Sequence, residues 1–75
     1  MNMTDKQNKL YTLAKENGHK AVFMAGTFQL LVYTPAGTLN VYADGNRHEV
    51  FVAPQHATYI TRKISMTKAL ELVAA

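Results

Sequence analysis

Cysteine is missing from all 75 positions of this chain. That absence excludes a disulfide framework, a thiolate zinc site and a cysteine nucleophile, and it fits a reducing cytoplasm. Long apolar runs are missing too. Nothing approaches the roughly 20 residues that span a bilayer, and the opening Met1-Asn2-Met3-Thr4-Asp5-Lys6 is polar where a secretory signal is apolar. The expectation is a soluble, cytoplasmic protein with no membrane attachment. Repeats, linkers and low-complexity segments are also lacking, so residues 1–75 are expected to form a single domain. Acidic residues are few. Five Asp and Glu against eight Lys and Arg give a net charge of +3, with the cations spread along the chain. This mild bias suits solubility and weighs against an acidic mimic of DNA.

The residues that carry catalysis are sparse. His19, His48 and His56 fall in no metal-binding or catalytic spacing, and His48 and Glu49, adjacent in a strand, point to opposite faces. Asp5, Glu16, Asp44, Glu49 and Glu71 belong to separate segments. Neither Gly26-Thr27 nor Gly45-Asn46 sits in a glycine-rich segment that opens a helix after a strand, so neither is a phosphate loop. The expectation is no enzyme, no cofactor and no metal.

The chain does have an ordered pattern from Phe28 to Ala53. Pairing Tyr33 with Thr38 across Thr34-Pro35-Ala36-Gly37 sets Val32 opposite Leu39, Leu30 opposite Val41 and Phe28 opposite Ala43 on one face. Gly45-Asn46 suits a two-residue type II′ turn, with Gly45 supplying the positive φ. It brings Asp44 opposite Arg47 as an ion pair, Val41 opposite Val50 and Leu39 opposite Val52. A first strand over about residues 20–25, turning at Gly26-Thr27, pairs Phe23 with Leu30. A fifth strand is expected over 57–63, after a turn at Pro54-Gln55-His56-Ala57. The short connections leave no room for crossovers, so the sheet is predicted to be an antiparallel meander of four to five strands.

Thr4 and Gln7 match a capping box and predict a helix over 5–17, with Leu10, Leu13 and Ala14 on one side and Asn17-Gly18 at its end. Ser65 caps a second helix with Met66, Ala69, Leu70 and Val73 on one side and Lys68 and Glu71 turned away. The fold class is therefore α+β: N-terminal helix, antiparallel meander sheet, C-terminal helix. The expected packing is a two-layer sandwich in which both helices cover the face bearing Phe28, Leu30, Val32, Leu39, Val41, Val50 and Val52. The other possibilities are one helix on each face, or a sheet curled into a small barrel.

In the two-layer arrangement the second face carries Val22, Met24, Gln29, Leu31, Tyr33, Asn40, Tyr42, Arg47, Glu49 and Phe51. Aromatic and aliphatic side chains beside an arginine have the composition of a protein contact. Leu31, Tyr33, Tyr42, Arg47 and Phe51 are the candidate partner-binding residues, and another protein is the expected partner. The setting expected for such a chain is that of a bacterial or phage accessory protein that modulates or inhibits its partner. Lys20, Tyr42, Arg47, Arg62 and Lys63 form an alternative set, on which unpaired RNA or single-stranded DNA bases would stack. An unpaired outer strand offers a third mode, addition of a strand from a second copy to make a homodimer.

Leu13-Ala14-Lys15-Glu16-Asn17-Gly18-His19-Lys20 leading into a hairpin resembles, in layout, the opening of the small HicA-type mRNA interferases. That family carries a catalytic His after a small-residue turn at the second strand. Here the corresponding stretch is Ala25-Gly26-Thr27-Phe28-Gln29, and the strands from Arg47 to Lys63 are additional, so the activity does not carry over.

Overall fold

The computed structural model describes residues 3–44, 47–53 and 61–75. Its elements run α1 (Asp5–Glu16), β1 (Lys20–Met24), β2 (Gln29–Thr34), β3 (Gly37–Asp44), β4 (Arg47–Ala53), β5 (Arg62–Ile64) and α2 (Met66–Ala74). The strands form one antiparallel sheet in the order β1-β2-β3-β4-β5, with every neighbour in space also a neighbour in sequence. The predicted α+β meander is the observed fold.

Strand register follows the apolar alternation. Phe23 lies opposite Leu30, Val32 opposite Leu39, Leu30 opposite Val41, Val41 opposite Val50, Leu39 opposite Val52 and Asp44 opposite Arg47. Asp44 and Arg47 face each other in register only, because the ion pair found among the described residues is Lys68 with Glu71, at 4.0 Å. The expected turn at Gly45-Asn46 and the one at Pro54-Gln55-His56-Ala57 lie outside the described residues, as does most of the expected fifth strand. Its described part pairs Val50 with Ile64, Phe51 with Lys63 and Val52 with Arg62, one residue beyond the predicted end.

Phe28 departs from expectation. It does not pair with Ala43 on the core face but ends the connection between β1 and β2, with φ at 55° and 37% of its surface exposed. The reason is local: reversing the chain over Ala25–Phe28, where Thr27 N–H donates to Met24 O at 3.2 Å, uses a left-handed residue on entry to β2. That conformation takes Phe28 out of the pleat.

Both helices begin, and α1 ends, as their sequences require. Thr4 Oγ1 accepts from Gln7 N–H at 3.2 Å while Gln7 Oε1 accepts from Thr4 N–H at 3.1 Å, a complete capping box. Ser65 Oγ accepts from Lys68 N–H at 3.1 Å. At the end of α1, Gly18 takes φ of 78°, the left-handed conformation that glycine adopts without a Cβ penalty.

The position of the core decides between the possible layer arrangements. Leu10 and Ala14 of α1, with Ala69 and Val73 of α2, join Ala21, Leu30, Val32, Leu39, Val41, Val50 and Val52 in one buried cluster. All seven of those strand residues share one pleat parity. On the other parity no described side chain is buried. Both helices therefore cover the same face, and the sheet is open, with β1 and β5 at its edges. The three-layer and barrel arrangements are excluded by this one-sided burial.

Helix α1 crosses the sheet obliquely. Near its start, Thr4 Oγ1 lies 2.7 Å from His48 Nε2 of β4. One turn further on, Gln7 is fully buried and its Nε2 donates to Val41 O of β3 and to Phe28 O, each at 2.9 Å. Its remaining length packs on β2 and β1. The helix thus ties the middle of the sheet to one edge, and neither helix covers the opposite face.

Candidate interaction surface

Three cross-strand rows build the uncovered face. The first runs Lys20, Tyr33, Thr38, Ala53; the second Val22, Leu31, Asn40, Phe51, Lys63; the third Met24, Gln29, Tyr42, Glu49. Asp44 and Arg47 stand beyond the third row, at the end of the β3-β4 pair. Alternation at period two puts these side chains together, because each register sets like parity against like across all five strands.

The rows hold a polar centre within an apolar field. Tyr33 is 43% exposed and Tyr42 41%, while Leu31 and Phe51 are half-buried. Tyr42 and Phe51, diagonal neighbours on β3 and β4, meet edge to face with centroids 6.0 Å apart and planes at 76°. Gln29 Nε2 donates to Asn40 Oδ1 and, at 3.2 Å, to the Tyr42 hydroxyl. Those contacts orient the amides and the phenol across β2 and β3. Lys20 Nζ lies 5.9 Å from the centroid of the Tyr33 ring, within cation–π range. Beside the aromatic pair is an open concavity of about 420 Å³, lined by Asn40, Tyr42, Glu49, Phe51 and Thr61.

Of the residues singled out from sequence, Leu31, Tyr33, Tyr42, Arg47 and Phe51 share this face, with Arg47 at its margin. Lys20 and Lys63 share it as well, next to Tyr33 and Phe51. Arg62 does not: opposite Val52, it has the parity of the helix-covered face and is exposed only because β5 is the sheet edge. The alternative set of Lys20, Tyr42, Arg47, Arg62 and Lys63 is therefore not one contiguous surface. Sequence reasoning omitted Glu49 from the candidates, although its alternation with Val50 placed it on this face. Glu49 supplies the carboxylate of the concavity.

The two described histidines, His19 and His48, are engaged elsewhere. His19 Nε2 donates to Ala75 O at 3.2 Å, and His48, on the opposite parity from Glu49, meets Thr4 beneath α1. His48 Nδ1 is buried without a hydrogen-bond partner. His56 lies outside the described residues. Among the described residues no group of three or more His, Asp or Glu side chains stands together as a metal site. Nor, among them, is any helix long and apolar enough to cross a membrane.

Compared with protein-family models, with curated proteins and with solved structures, the chain matches none of them.

Proposed function

We propose that this chain is a non-catalytic binding protein of the cytoplasm that modulates or inhibits another protein, engaged through the sheet face of Leu31, Tyr33, Tyr42 and Phe51. The observation that carries this reading is the one-sided burial of the sheet: both helices cover one face and leave an aromatic and aliphatic field on the other. Monomeric proteins expose single hydrophobes freely, but a contiguous patch of this kind is characteristic of contact surfaces. The rim mixes charges, with Lys20, Arg47 and Lys63 against Asp44 and Glu49. Such a rim complements a protein surface of mixed charge better than the uniformly anionic backbone of a nucleic acid.

A second reading, single-stranded nucleic acid, draws on the two cations set beside aromatic rings, Lys20 at Tyr33 and Lys63 opposite Phe51. The two readings separate in one experiment. Tagged protein is used to capture partners from a bacterial lysate, with and without nuclease, alongside the Tyr42→Ala/Phe51→Ala variant. A protein partner that survives nuclease and is lost with the variant, while the variant keeps its circular dichroism spectrum, supports the first reading. Recovery of nuclease-sensitive material whose affinity falls steeply with added salt supports the second. Unfolding of the double variant would show that the face is structural and overturn the first.

A further inference from the structure

The two edges of the sheet are unlike. Edge strands present a row of unpaired backbone N–H and C=O groups, and proteins protect them by shortness, by charge, by proline or by a bulge. The described part of β5, Arg62–Ile64, is protected by charge, with Arg62 and Lys63 exposed. β1 has little protection. It is five residues long, bonds to β2 alone within the sheet, and reads Lys20-Ala21-Val22-Phe23-Met24, with its one charge at the end.

We propose that β1 is a self-association edge, where a second copy of this chain adds its own β1 antiparallel about a two-fold axis at Val22. The strand is self-complementary in that register. Val22 meets Val22 of the second copy, Ala21 meets Phe23, and Lys20 meets Met24. On the helix side a small residue is set against a large one, so Phe23, half-buried in the single chain, gains cover. On the outer side Val22 and Met24, 40% and 41% exposed, form a joint apolar strip. The two Lys20 side chains stand at opposite ends of the paired strands, so no like charges face each other. The contact is isologous, as a two-fold requires, and closes at two copies. It makes a ten-stranded sheet whose outer face joins the two aromatic fields. Because it rests on the edge and not on the aromatic face, it stands or falls separately from the proposed function.

Five paired residues per strand make a small interface, so the dimer is weak and depends on concentration. Sedimentation velocity of the full chain, from about 10 μM to about 1 mM, is expected to show monomer passing to dimer. Val22→Lys puts like charges across the axis at an exposed position and is expected to raise the dissociation constant roughly tenfold. Val22→Glu does the same alone, and mixing the two variants restores a one-to-one heterodimer. Met24→Glu faces Lys20 of the second copy and tightens association. Tyr42→Ala/Phe51→Ala leaves it unchanged. Monomer throughout the range, or a dimer indifferent to Val22→Lys in a variant with native circular dichroism, would overturn the proposal.

Discussion

Thr4 Oγ1 and His48 Nε2 lie 2.7 Å apart, joining the cap of α1 to β4 across 44 positions of sequence. The same hydroxyl accepts from Gln7 N–H, so a single oxygen both starts the helix and docks it on the sheet. Thr4→Ala removes both functions. A lost cap costs about 1 kcal/mol and an unpaired buried group adds a similar amount, so the expected destabilisation is about 2 kcal/mol in urea titration. Thr4→Ser retains the hydroxyl and most of the stability.

Gln7 is more demanding, because its amide donates to Val41 O and Phe28 O while its carbonyl accepts from Thr4 N–H. Gln7→Glu has nearly the same shape but turns carboxylate oxygen toward two carbonyls. An unpaired buried charge of this kind costs about 3 kcal/mol or more at neutral pH. Burial raises the folded-state pKa of the introduced carboxyl above its unfolded value of about 4.3. The penalty relative to the native chain is therefore smallest below that pH, where the group is protonated in both states, and grows as pH rises. Paired urea titrations at acidic and neutral pH check the sign.

Phe28 and Leu30 are two residues apart and should respond in opposite ways. Phe28 carries the positive φ at the entry to β2, so Phe28→Gly relieves backbone strain and forfeits only a partly exposed ring. The variant is expected to lie within about 1 kcal/mol of the native chain, on either side. Leu30→Ala, at a fully buried position, should cost about 2–5 kcal/mol. Thermal denaturation of the pair distinguishes them readily.

Gly18 isolates the backbone contribution. A Cβ at this position would meet no atom within 4 Å, yet φ is 78°. Gly18→Ala is expected to lose about 1 kcal/mol by urea titration, with no change in packing, and Gly18→Asn less.

Much of the sheet was legible because its information is local. Alternation over Leu30–Val32, Leu39–Val41 and Val50–Val52 allows one register that keeps apolar side chains together, and a slip of one residue would turn them all outward. The outer-face membership of Leu31, Tyr33, Tyr42 and Phe51 follows from the same parity, as does that of the overlooked Glu49. Phe28 was misplaced because an apolar residue in phase with a strand looks the same whether it continues the strand or closes the preceding turn. The capping box named Thr4 and Gln7 correctly, but nothing near them indicates that Gln7 also bonds two sheet carbonyls or that Thr4 meets His48. Those partners are 21 to 44 residues away.

The chain by itself determined its elements, their order and the two faces of the sheet, because side-chain period and turn chemistry act over a few residues. Only the tertiary structure decided that both helices lie on one face, that α1 crosses obliquely from β4 to β1, and which strands are left as edges. These depend on contacts between segments distant in sequence, where burial summed over the whole core selects one arrangement among several that the local pattern allows. The surface left uncovered is a consequence of that selection.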